Sequence, residues 1–184
     1  MKNPLDRRHF LVGAGATAAA TTVSPAFART LHFKKPRVLA FENIHTGEWL
    51  QVAYWANDQY IPEALMAVNN VLRDFRTGDV HAINPLLLDY LYGMQVGLET
   101  KKPFQVISGY RSPKTNAMLH ANSDGVAAKS LHMAGKAIDI RCAGVDLQYV
   151  QRVALSLSVG GVGYYPRSNF VHLDVGRARS WTGV

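Results

Sequence analysis

SLHMAGKAIDI, residues 130–140, sets the imidazole of His132 and the carboxylate of Asp139 seven positions apart with little bulk between them. Its second half continues as KAIDIR, residues 136–141, which reads as a strand. Side chains alternate along a strand, so Asp139 shares a face with Ala137 and Arg141 while Ile138 and Ile140 face a core. Gly135 lets the backbone turn between His132 and that strand. The small residues Ala134, Gly135 and Ala137 leave room beside the carboxylate for a metal and a substrate. NFVHLDVG, residues 169–176, alternates in the same way. Phe170, His172 and Asp174 fall on one face, and Val171, Leu173 and Val175 on the other.

The rest of the chain places helices around these strands. RVLAFENIHTGEWLQVAYW, residues 37–55, reads as two strands joined by a turn at 45–48, with Gly47 as the turn residue. Ile61, Ala64, Leu65, Val68, Val71, Leu72 and Phe75 then recur at helical spacing, with Pro62 at the start and Gly78 as the stop. Asn84 and Pro85 open a second helix, and Ser112 and Pro113 a third. FQVISGYR, residues 104–111, is a buried strand ending in a glycine turn. DLQYVQRVALSLS, residues 146–158, is a helix, and GGVGYY, residues 160–165, a strand. The expected class is α+β: a small antiparallel sheet carries the site, with helices packed on one face. No linker or repeat divides it.

DRRHFLVGAGATAAATTVSPAFA, residues 6–28, has paired arginines, a weakly apolar run and a small-x-small end, the pattern of a cleaved export signal. RRHFL resembles a twin-arginine signal, with Asp6 where Ser or Thr is commoner. The expected division is a signal at 1–28 and one domain at 29–184, with no membrane anchor left after cleavage. The chain carries +7. Lys2, Arg7, Arg8 and Asp6 give the signal a net +2, so the mature part keeps +5. That balance suits an acidic polymer such as a carboxylate-bearing cell wall, or simply solubility. No stripe of Arg and Lys interleaved with aromatics marks a nucleic-acid partner. Cys142 is the single cysteine. It excludes an internal disulfide and a cysteine-rich zinc module, and its place in an apolar run makes it a core residue.

Two imidazoles and one carboxylate, with a fourth position for water, are a common catalytic zinc set. Spacing alone leaves two readings of His132, Asp139 and His172: ligands of one metal, or separate surface and core residues.

SGYRS (108–112), SLHMAGKAIDI (130–140) and GVGYYPRSNFVHLD (161–174) resemble the zinc peptidases that cut D-amino-acid peptide bonds in bacterial cell walls. That family includes D,D-carboxypeptidases, D-Ala-D-Ala dipeptidases, phage endolysins and murein endopeptidases. Its pattern, S-x-H-x-x-G-x-A-x-D and a later histidine on a strand, is complete at Ser130, His132, Gly135, Ala137 and Asp139. The resemblance extends over essentially the whole mature chain. It implies one zinc ion per chain on His132, Asp139 and His172, with Arg111 in the site, where a guanidinium can hold a carbonyl oxygen or a carboxylate.

The activity it implies is periplasmic murein endopeptidase. The bonds would be peptidoglycan cross-links, from D-Ala to diaminopimelate or between two diaminopimelates, cut during wall growth. Two alternatives are a D,D- or L,D-carboxypeptidase and an inactive zinc-bearing module that binds peptidoglycan. One departure bears on mechanism. Several members carry Glu or Asp as general base three residues before the last zinc histidine, where this chain has Asn169. Asp174, on the face of His172, is then either the base or the group that orients the histidine. His120 is a more distant candidate base. Tyr164, Tyr165 and Trp181 are candidate cleft-lining aromatics, with Tyr165 and Trp181 placed as substrate contacts.

Overall fold

The computed structural model describes residues 35–122 and 125–183. The expected export signal lies outside them. β1 (Arg37–Asn43) and β2 (Trp49–Ala56) form the expected hairpin, and β3 (Gln59–Tyr60) adds to β2. Gly47 takes the turn at φ +71°, and Asn43 Oδ1 accepts the N–H groups of His45 and Thr46. Helix α1 (Pro62–Val71) starts on its proline, as do α2 (Pro85–Gly97) and α3 (Pro113–Ala121). Asn84 and Ser112 cap the last two by accepting the N–H of Leu86 and Thr115, which satisfies donors that have no partner within the helix.

β4 (Phe104–Ser108), β5 (Ala137–Cys142), β6 (Gly161–Tyr165), β7 (Phe170–Asp174) and β8 (Arg179–Thr182) complete the sheet, with α4 (Leu147–Leu157) between β5 and β6. The class is α+β, as expected. The sheet is larger than the sequence suggested: eight strands in the order β3-β2-β1-β4-β5-β7-β6-β8. Two joins are parallel, β1 with β4 and β6 with β8, and the others antiparallel. β8 has no alternating pattern of its own. It is held by its register on β6.

Leu39, Phe41, Phe104, Val106, Ile138, Ile140, Val171 and Leu173 share one core with residues of α1, α2 and α4. Full burial of one such side chain stabilises by roughly 1.5–3 kcal/mol. Cys142 belongs to this core, and burial pushes its thiol up to about 12. Among the described residues no helix is long and apolar enough to cross a membrane.

One helix is shorter than its periodicity indicated. Apolar spacing runs on to Phe75, but α1 ends at Val71. The Leu72 carbonyl instead accepts the N–H of Tyr110 at 2.7 Å. A side chain at Gly109 would lie 2.4 Å from that oxygen, so only glycine allows the approach. Asp74, beyond the helix end, turns inward and accepts the N–H of Ser112 at 2.8 Å and of Arg76 at 2.9 Å. The end of α1 is thereby spent on anchoring the loop that carries Arg111.

Candidate metal centre and cleft

The β5–β7 register is what assembles the site. Asp139 pairs directly with His172, flanked by Ile138 with Leu173 and Ala137 with Asp174. Directly paired residues project to the same face, so the face read from each strand separately is one shared face. On the next strand Gly163 pairs with His172, and beyond it Trp181 pairs with Gly163. His132 reaches the site from a single 3-10 turn, Leu131–Ala134, closed by Gly135 at φ +62°. Ser130 caps that turn by accepting the N–H of His132.

Three donor atoms converge. His132 Nε2 lies 3.2 Å from His172 Nδ1 and 3.3 Å from Asp139 Oδ1, and His172 Nδ1 lies 2.8 Å from the same oxygen. Each outer ring nitrogen faces an oxygen that can only accept. His132 Nδ1–H donates to the Gly109 carbonyl at 2.7 Å, and His172 Nε2–H to Asp174 Oδ2 at 3.1 Å. Without a metal, a proton on His172 Nδ1 can bridge that nitrogen to Asp139 Oδ1. With His172 neutral, the inner atoms are two imidazole lone pairs and a carboxylate oxygen, a set that a metal cation can hold in place of the proton. Tetrahedral ligands about 2.0–2.1 Å from a zinc ion stand about 3.3 Å apart, close to two of the three separations. The residues present therefore fit a metal, and these three form a group able to hold one.

Charges follow the same geometry. Burial opposes ionisation of Asp139, but His132 and His172 outweigh it and hold the carboxyl well below its usual range. Burial also opposes a charge on His172. Hydrogen bonds and charges from Asp139 and Asp174 prevail, and without a metal its imidazole is pushed up to about 9. Burial keeps His132 below the ordinary histidine value.

Asp174 is wholly buried. Its Oδ1 accepts from Gly161 N–H, Gly176 N–H and Arg179, and its Oδ2 from His172 and Arg179. Arg111 is also buried. Its NH2 group stands 3.6 Å from Asp139 Oδ2 and 3.4 Å from the Ser108 hydroxyl, and its Nε has no hydrogen-bond partner. Its backbone N–H donates to the carbonyl of His132, which ties the SGYR turn to the histidine turn.

A cleft of about 800 Å³ opens over these groups. Arg111, His132, Asp139, Tyr165, His172 and Trp181 all line it; Asp174 lies behind His172. Trp181 Nε1–H donates to the Tyr165 hydroxyl at 2.9 Å, and Tyr165 stacks on Phe170. Tyr164 packs against the core instead. His120 is not among the cleft residues; its ring bonds the Val126 carbonyl at 2.6 Å on an exposed surface. Asn169 is exposed in a turn at φ +53° and also outside the lining. Asp139 is the only carboxylate among the described cleft residues. Sequence reasoning missed Arg179 and the Gly109 carbonyl. The bulky Arg and Trp of RARSW set against two glycines of GGVG were the available signal.

The sequence pattern of the peptidoglycan L,D-endopeptidase MepK family matches residues 32–181, and that of the twin-arginine translocation pathway signal matches residues 4–24. Peptidoglycan L,D-endopeptidase MepK of Escherichia coli (strain K12) is 47% identical over 175 residues, covering 95% of this chain and 96% of that protein. Probable peptidoglycan L,D-endopeptidase MepK of Haemophilus influenzae is 47% identical over 151 residues, covering 82% and 81%. With its paired strands, histidine turn and buried arginine in the matched region, this chain belongs to the peptidoglycan L,D-endopeptidase MepK family.

Proposed function

We propose that the chain is a zinc-dependent murein endopeptidase that hydrolyses peptide cross-links of peptidoglycan in the periplasm. It is exported on its twin-arginine signal and works through one domain over residues 29–184. The observation that carries the reading is the convergence of His132 Nε2, His172 Nδ1 and Asp139 Oδ1, beside a buried guanidinium with an unpartnered N–H. His132, Asp139 and His172 hold the ion. Zinc in such a set supplies a Lewis acid and lowers the pKa of water to roughly 7.

The other steps belong to the chain. Arg111 aims donors at the carbonyl oxygen as negative charge develops on it. Asp174 orients His172 and does not take the proton from water, because its five hydrogen bonds occupy both oxygens away from the cleft. Tyr165 accepts the indole N–H of Trp181, so its own O–H is left to donate to substrate. Lys129, also in the lining, gives the cleft a positive charge suited to stem peptides that carry carboxylates.

Of the two cross-links expected, the L,D designation of the relatives fits the one between diaminopimelates. A bond from D-Ala to the D-centre of diaminopimelate joins two D-centres. The test is digestion of purified muropeptide dimers of both types, read by mass spectrometry. Conversion of diaminopimelate-linked dimers to monomers is the expected result. Trimming of monomers with dimers untouched would make the enzyme a carboxypeptidase. Zinc binding with no bond cut would make it an inactive wall-binding module.

A further inference from the structure

β6 carries glycine at alternate positions, Gly161 and Gly163, on the face that bears the site. Both seats are filled from the neighbouring strand. β8 pairs with β6 so that Arg179 stands beside Gly161 and Trp181 beside Gly163. A Cβ at Gly161 would lie 2.3 Å from Asp174 Oδ2 and 2.4 Å from an Arg179 nitrogen. A Cβ at Gly163 would lie 2.6 Å from the Trp181 ring. The missing side chains let two residues of an edge strand reach across β6 to β7. Arg179 grips Asp174 with two hydrogen bonds, NH2 to Oδ2 at 2.7 Å and NH1 to Oδ1 at 3.1 Å. Trp181 lies against His172 with ring centroids 5.3 Å apart, and the Arg179 guanidinium covers the Trp181 ring at 4.9 Å.

We infer that Arg179 is a positioning residue of the metal centre, acting through Asp174 to hold His172 with Nδ1 toward the ion. The role rests on the metal centre proposed above. His172 presents Nδ1 only while Nε2–H has a fixed acceptor. Asp174 is that acceptor, but a wholly buried carboxylate without a countercharge is costly. Arg179 supplies the countercharge, and its planar fork fixes the plane of the carboxylate, which one point charge would not. Its side chain is 38% exposed while that of Asp174 is fully buried, so the cation reaches inward from the sheet edge to a carboxylate whose other partners are two backbone N–H groups and His172.

The test is zinc affinity of the mature chain by competition with a chelator, for wild type, Arg179→Gln, Arg179→Lys, Asp174→Asn and the double variant Arg179→Gln/Asp174→Asn. Melting of the metal-free proteins and the visible spectrum of the cobalt-substituted forms are read alongside. Loss of a group that supports a metal ligand typically costs about 10–100-fold in affinity. Arg179→Gln is expected to lose that much, and Arg179→Lys to recover part of it. In the Asp174→Asn background the Arg179→Gln change should cost little more, because the arginine acts through the carboxylate. The cobalt spectrum of Arg179→Gln should broaden as His172 loses its fixed orientation. Unchanged affinity in Arg179→Gln, or costs that simply add in the double variant, would overturn the inference. So would an affinity loss matched by lower melting of the metal-free protein and not eased by lysine, since that assigns Arg179 to the fold alone. A wild-type chain that binds no zinc would refute the metal centre itself, a result distinct from all of these.

Discussion

Arg111→Met should separate substrate chemistry from metal binding. The guanidinium is buried, faces the cleft, and has an Nε–H with no partner. A buried unpaired donor costs about 1–3 kcal/mol, a cost that the substitution removes. Methionine keeps much of the volume and removes the donors. Removing one donor to a developing oxyanion costs about 2.7–4 kcal/mol, or roughly 10²–10³ in kcat. Zinc affinity should move the other way or not at all. Arg111 is a cation 3.6 Å from a proposed metal ligand, and its loss removes repulsion against an incoming dication. The metal-free protein should melt close to wild type, because the relieved Nε offsets the partner lost by Asp139. The assay pairs steady-state cleavage of cross-linked muropeptides with chelator competition. A tenfold or greater loss of zinc affinity, in step with lost activity, would refute the reasoning and make Arg111 a support of the metal site.

Asp174→Asn distinguishes base from orienter: with zinc saturating, an orienter leaves activity within about tenfold of wild type. Loss of a general base would cost about 10²–10⁴-fold at any zinc concentration. Gly163→Ala should push the Trp181 ring by about an ångström and break its hydrogen bond to Tyr165, worth about 0.5–1.5 kcal/mol. A rise of roughly 2- to 10-fold in KM for muropeptide dimers is expected with one zinc still bound; an unchanged KM would remove Tyr165 from substrate binding. Burial raises the pKa of Asp74, but hydrogen bonds from Thr115, Ser112 and Arg76 outweigh it and bring the group from 3.8 to about 2. A depressed carboxyl stabilises the fold above its unfolded pKa and loses that contribution as pH falls through its folded value, here roughly 2 kcal/mol lost between pH 4 and 2. Urea unfolding of wild type and Asp74→Asn should therefore differ most above pH 4 and converge near pH 2; a gap independent of pH would contradict this.

Much of the site was legible because strand alternation is local. Ile138 and Ile140 announced the core face of β5, and Val171 and Leu173 that of β7, so Asp139 and His172 had to share the other. Proline and the caps Asn84 and Ser112 marked helix starts for equally local reasons. What was hidden depends on distant partners. The end of α1 at Val71 is set by Tyr110 and Gly109, beyond the reach of periodicity. The parallel joins β1–β4 and β6–β8 are set by packing across the sheet. Asp174 was read as base or orienter because its face was visible but Arg179, its cation, was not. Asn169 stands where the family resemblance implied a base, yet its position is an exposed turn outside the cleft lining.

Catalysis is expected to depend on a metal held by His132, Asp139 and His172. Metal-stripped mature chain should be titrated with zinc while cleavage of diaminopimelate-linked dimers is followed, with His132→Ala in parallel. The expected result is no cleavage without metal, activity rising to a plateau at one zinc per chain, and neither tight binding nor cleavage in His132→Ala. Cleavage by the stripped protein, or undiminished cleavage by His132→Ala, would contradict it.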